Sequence, residues 1–253
     1  MEPQEPGGLE PYPEPVPSWQ QEHHARVDPH RSGSSVSDVI LGGQDGIVNV
    51  LGVLLGVAAA SASARIVLAA GFATTFAESI SMAAVAYTST LAQGDVYRSE
   101  RTREYRHVRT VPTLERAEVR ALYARKGFGG ELLERIVRTI TADPDVWVAV
   151  MMTEEHQLAP VERRHALRSA FVVGAAAVVG SLVPVAPFLL LGVRAAAWAS
   201  VVVAALALFL MGAYKAKITV GHPLKAGIEI AVIGVASALV GWGIGALFGG
   251  PTD

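Results

Sequence analysis

The chain has no cysteine in its 253 residues. Disulfides and thiolate metal centres are both excluded, so any metal must be held by carboxylate, imidazole or thioether. Charge is also scarce, at 17% of residues against about 25% in an ordinary soluble domain. The net charge of −2 is too small to argue for a nucleic-acid partner. No basic segment opens the chain; its start is acidic and proline-rich, so no cleavable signal peptide is expected and the first apolar helix would serve as the signal. Strand alternation and hairpin signals are absent too, which leaves an all-α reading.

What is present is apolar sequence in five long runs, about 39–62, 66–91, 166–191, 195–214 and 226–248. A bilayer core of about 30 Å takes about 20 helical residues, so each run reads as a transmembrane helix. Residues 1–35 are rich in Pro, Glu, Ser and Gly and cannot bury enough apolar surface to fold, so a disordered tail is expected. His23, His24 and His30 within it read as solvated. Residues 36–94 then hold the first two membrane helices, 95–162 a polar insertion, and 163–253 the last three. Pro184 and Pro187 each remove a backbone donor and are expected to loosen the end of the third helix. Gly42, Gly46, Gly52 and Gly56 in the first helix, and Gly241 and Gly245 in the last, have the spacing that lets helices approach closely. That spacing fits dimerisation or, more commonly, packing within one chain.

Of the 21 Lys and Arg, 14 fall between Arg98 and Arg168, in and around the insertion. With the N-terminus in the cytosol, 19 of the 21 lie on the cytosolic side, and only Arg65 and Arg194 lie outside. The insertion is therefore expected in the cytosol and the C-terminus outside. Within it the chain reads as a charged extension of the second membrane helix (about 96–108), then helices over about 114–126, 130–142 and 145–158, with stops at Gly127 and at Asp143-Pro144.

Three acids lie within the membrane runs. A charge at the centre of a bilayer costs roughly 2.5–3.5 kcal/mol, so such groups face an interior or a water-filled path. Asp45 has no cationic partner at its depth, and Glu78 falls near mid-membrane with the soft sulfur of Met82 one turn on. Asp38 sits at the cytosolic edge, where it reads equally as an entrance or as a helix N-cap. Glu229 reads as a structural partner of Lys225. Together these residues suggest the path of a cation.

The insertion carries a second set. Glu104 and His107 share a helix face, as do Glu115 and Glu118; Met151 and Met152 stand three or four residues before Glu155. Neighbours at these spacings can bind one ion together. Carboxylate and imidazole suit Fe²⁺, Mn²⁺ or Zn²⁺, and a thioether favours transition metals over Mg²⁺ or Ca²⁺. The competing reading is a solvated face among arginines, with the methionines filling core gaps. The Glu-x-x-His spacing at Glu104–His107 is that of ferritin-like diiron centres. Those need it on two helices, and one copy is present, so an oxidase is disfavoured.

The runs DVILGGQDGIVNVLGVLLGV, SISMAAVAY, RTVPTLERAEV, DVWVAVMMTEEHQL, GSLVPVAPFLLL and FLMGAYKAKI, in that order, resemble the vacuolar iron transporter family over about Asp38 to Gly249. The resemblance implies five membrane helices with a cytosolic helical domain after the second. It also implies a homodimer with the ion path between protomers, and no enzymatic activity. Fe²⁺, and often Mn²⁺, would leave the cytosol in exchange for protons, as transported and regulatory ions rather than permanent cofactors. By motif, Asp45 lines the path, Asp38 stands at its entrance, and Met82 follows in the second helix. The cytosolic ligands are Glu104, Glu115, Glu118, Met151, Met152 and Glu155. Two positions depart from the family. Thr74 stands where relatives can carry a glutamate, with Glu78 one turn later as its substitute, and His107 replaces a cytosolic glutamate. The alternative expectation is a membrane-anchored metal sink or sensor without transport. Composition points to a bacterial inner membrane.

Overall fold

Each apolar run forms one helix, because a backbone in lipid must satisfy its polar groups within its own segment. The computed structural model describes residues 34–219 and 221–249. The expected tail, with its three histidines, lies outside the described residues except for Ser34 and Ser35, which open the first helix. The elements are α1 (Ser34–Ala60), α2 (Ala64–Thr110), α3 (Pro112–Arg125), α4 (Gly130–Ile140), α5 (Pro144–Val150), a π-helical turn (Met151–Glu155), α6 (Arg163–Leu190), α7 (Val193–Ile218) and α8 (Pro223–Phe248). Five of them, α1, α2, α6, α7 and α8, are long and apolar enough to cross a membrane. No strand occurs among the described residues, and the protein is an all-α, multi-pass membrane protein.

α1 is the central helix of the bundle, in contact with α2, α6, α7 and α8. Its glycines make this possible. A Cβ on Gly46 would lie 2.4 Å from the Ala177 carbonyl oxygen of α6, and one on Gly241 would lie 2.1 Å from that of Gly52. The small-residue stripes thus serve packing within the chain. The tightest crossing is at Gly245, where a Cβ would meet the Gly56 carbonyl oxygen at 1.9 Å. Gly245→Ala must push α1 and α8 apart and is expected to cost about 1–3 kcal/mol, seen as a lower unfolding midpoint in detergent. Gly243→Ala, where a Cβ meets nothing within 4 Å, should leave the midpoint unchanged or slightly raised.

α2 is a single helix of 47 residues. At 1.5 Å per residue it runs about 70 Å, so it crosses the bilayer and continues as a stalk. The division expected between residues 94 and 95 falls inside it. α6 differs from expectation: it continues through Pro184 and Pro187 to Leu190. Both prolines are buried, and the Ser200 hydroxyl of α7 donates to the Pro184 carbonyl at 2.7 Å, so neighbouring helices hold this end in place. Asp38 lies in the second turn of α1 and is not its N-cap. Glu229 and Lys225 are both exposed, with no ion pair between them among the described residues, so that expected pairing is not formed.

The stalk and the insertion helices share a core of Val108, Val119, Leu122, Leu133, Val137, Ile140, Trp147, Val148, Met151 and Met152. Gly127, with φ +93, ends the first hairpin turn, a conformation that suits glycine. Asp143 caps α5 by accepting from the Asp145 amide at 2.8 Å. The expected regular helix over 145–158 instead changes character at Met151. There the His156 amide donates to the Met151 carbonyl, five residues back, at 3.2 Å. Gln157, at φ 54, then stops the helix.

Candidate functional site

α1 and α2 are antiparallel, and their register sets the membrane acids against each other. Leu54 lies against Gly71, and further toward the insertion the Glu78 carboxyl meets that of Asp45. The two are close enough to share a hydrogen bond when one holds a proton. Asn49, one turn along α1, donates to Asp45 Oδ2 at 3.2 Å. Two ionised carboxylates in contact repel each other, and either a shared proton or a cation between them relieves the repulsion. Met82 lies one turn nearer the insertion on α2, and Asp38 lies two turns nearer on α1, about 10 Å from Asp45. Asp38, Asp45, Glu78 and Met82 are all half-buried. Nothing in the sequence marked the Asp45–Glu78 contact or Asn49, because the register between two helices is set by packing.

The cytosolic cluster begins at a chain reversal. The residue before a proline disfavours the helical region, so α2 ends at Thr110 and α3 begins at Pro112. Val111 between them has φ −133 and ψ 49, and the Glu115 amide donates to its carbonyl at 3.2 Å. The reversal brings Glu115, in the first turn of α3, back against the stalk face that carries Glu104 and His107. His107 Nδ1 lies 3.3 Å from Glu115 Oε1 and 3.8 Å from Glu104 Oε1. One ligand atom from each of the three falls within 4.8 Å of the others.

Burial makes this more than a solvated acidic face. Glu104 is 4% exposed and Glu115 2%, and the Oε2 atom of each is buried with no hydrogen-bond partner. An orphaned buried acceptor costs free energy, which a bound cation would recover. Burial, then Glu104, Glu118 and Glu155 in turn, push the Glu115 carboxyl up to about 7. Glu155 is raised too, by loss of hydration and then by Glu118, with His156 opposing. Glu118 is half-buried, and Glu155 is exposed. Met151 and Met152, 0% and 1% exposed, sit in the adjoining apolar core. Glu154 is engaged elsewhere, accepting an ion pair from Lys126 Nζ at 2.5 Å.

One residue of this cluster escaped sequence reasoning. His156 Nε2 lies 3.1 Å from Glu104 Oε1, so Glu104 faces an imidazole on each side. Counting a regular helix from Met151 puts Glu155 over it and turns His156 away. The π turn adds one residue per turn and brings His156 inward instead.

The VIT family model matches residues 36–246. Vacuolar iron transporter 1 of Eucalyptus grandis is 33% identical over 230 residues, covering 88% of this chain and 92% of that protein. Vacuolar iron transporter 1 of Arabidopsis thaliana is 34% identical over 227 residues, covering 89% and 90%. Protein CCC1 of Saccharomyces cerevisiae is 26% identical over 217 residues, covering 82% and 67%. The matched region runs from the acids of α1 through the cytosolic cluster and into the last membrane helix, so the chain belongs to the VIT family.

Proposed function

We propose that this protein is a metal-ion transporter that moves Fe²⁺, and also Mn²⁺, out of the cytosol in exchange for protons. The observation that carries the reading is the contact between the Asp45 and Glu78 carboxyls inside the membrane bundle. A pair that accepts either a proton or a divalent cation is the minimum device for exchanging one for the other. Glu78 serves in place of an acid at Thr74.

Glu104, His107, Glu115, Glu118 and Glu155 gather the ion from the cytosol. Met151 and Met152 supply softer donors that favour transition metals over Mg²⁺. The ion then passes Asp38 and Met82 to Asp45 and Glu78. Charge asymmetry supports a cytosolic N-terminus and insertion. The half-buried acids support a homodimer, because carboxyls on an open bundle face would otherwise meet lipid, and a second copy across that face encloses them. Composition alone supports a bacterial inner membrane, whereas the two plant relatives are named for vacuoles; the ion leaves the cytosol in either.

The test is Fe²⁺ uptake by proteoliposomes with internal pH followed in parallel. An acid interior is expected to drive uptake, with internal pH rising as iron enters. Saturable Fe²⁺ binding without uptake or counter-flow of protons would instead make the protein a membrane-anchored sink or sensor.

A further inference from the structure

We propose that His156 is a metal ligand, and that the cytosolic centre is a two-histidine, two-glutamate site built within one protomer from Glu104, His107, Glu115 and His156. The inference rests on the reading of the insertion as a metal-gathering domain and goes further in assigning the donor set.

The spacing fits. Ligands held about 2.0–2.2 Å from a four-coordinate ion lie about 3.4 Å from one another. The successive separations here are 3.1 Å from His156 Nε2 to Glu104 Oε1, 3.8 Å from Glu104 Oε1 to His107 Nδ1, and 3.3 Å from His107 Nδ1 to Glu115 Oε1. An independent observation points to a ligand at the same place. The Oε2 atoms of Glu104 and Glu115 are buried and unpartnered. His156 and His107 both approach Glu104 through its other oxygen, so the imidazoles leave these two atoms to a cation or to a proton shared between the carboxyls.

The backbone supplies a further argument. A π turn is an uncommon local structure, often found at functional sites. Here it is what makes the residue after Glu155 an inward-facing one. Without it, the exposed Glu155 carboxylate would take the place of the half-buried His156 imidazole, and the centre would present harder donors. Two imidazole nitrogens with two carboxylates suit borderline divalent ions such as Fe²⁺, Co²⁺ and Zn²⁺ over Mg²⁺ and Ca²⁺.

The experiment uses the full chain in detergent with Zn²⁺ alone as the probe, read by X-ray absorption at the zinc edge. The imidazole scattering is expected to give two histidines per bound ion in the wild type and one in His156→Gln. Glutamine can keep the hydrogen bond to Glu104 while removing the imidazole, so a merely positioning role would leave the count unchanged. Zn²⁺ affinity is expected to fall by about 10–100-fold, at least what loss of a supporting partner costs. His165→Gln, at an exposed site on α6, is the control and should alter neither count nor affinity. A single histidine in the wild type, or a count untouched by His156→Gln, would overturn the assignment while leaving the metal-gathering domain in place. No Zn²⁺ bound at the insertion in the wild type would overturn both.

Discussion

Asp45→Asn is expected to abolish proton-coupled Fe²⁺ uptake into proteoliposomes, and Glu78→Gln to lower it by at least about tenfold, the scale on which loss of a ligand or its partner weakens a metal site. Both changes preserve shape. Asparagine can still accept from Asn49 through its amide oxygen, so the α1 contact at 3.2 Å need not be lost. What each removes is one carboxylate of a touching pair. With one acid left, the site would hold a divalent ion with half the compensating charge, and a proton would no longer compete with the ion for a shared position. Metal binding by the cytosolic insertion should be unchanged in both variants, which separates a broken path from a broken fold. The contact also predicts a rescue. Thr74 is half-buried one turn from Glu78 on the same helix, on the far side from the insertion. Glu78→Gln with Thr74→Glu should recover part of the uptake, because the acid moves one turn and keeps roughly its face. Unchanged flux in Asp45→Asn would show that the carboxyl pair is structural.

How much of this was legible in the sequence divides by the physics involved. The five helices were legible because a bilayer demands about 20 apolar residues wherever a helix crosses it. Asp45 and Glu78 stood out for the same reason: apolar surroundings make an acid conspicuous. Their contact was not legible, because it depends on how α1 and α2 slide against each other, and that register is set by packing such as Leu54 against Gly71. Proline was over-read. A missing donor ends a helix in water, but Pro184 and Pro187 are buried among helices that hold the turn, and α6 continues. Of the two readings open for Asp38, the cap fails because α1 starts a turn earlier than its apolar run. In the insertion, Glu104 and His107 follow from i, i+3 spacing, and Pro112 marks the reversal that returns Glu115 to them. His156 was hidden because periodicity assumes 3.6 residues per turn, and one π turn shifts every later residue.

Metal affinity at the cytosolic centre should rise steeply between pH 5.5 and 7.5, while the stability of the metal-free insertion moves the opposite way. The same group causes both. Glu115 holds its proton up to about pH 7, and an ion can use that carboxylate only after displacing the proton. Each pH unit below 7 therefore weakens apparent affinity about tenfold through Glu115 alone, or roughly 30-fold between pH 7.5 and 5.5. Glu115→Gln should lose this share of the slope and bind weakly throughout. Calorimetry in buffers of different ionisation enthalpy reads the displaced proton directly, and a wild-type affinity flat across this range would show that Glu115 is not a ligand. For the metal-free chain, the carboxyl sits above its ordinary 4.5, so the folded state binds the proton more tightly than the unfolded state. That stability is fully present below about pH 4.5 and is lost as pH rises to about 7, to the extent of roughly 3 kcal/mol. Hydrogen exchange of α3 and the π turn, with chelator present, should therefore quicken from pH 5 to 7.5 beyond its intrinsic pH dependence. Added Fe²⁺ should reverse the change, since an ion between Glu104 and Glu115 replaces the proton as the group that relieves their repulsion. The insertion would then be loosest at neutral pH when it is empty and firmest when it is loaded, so that its order reports the metal it holds.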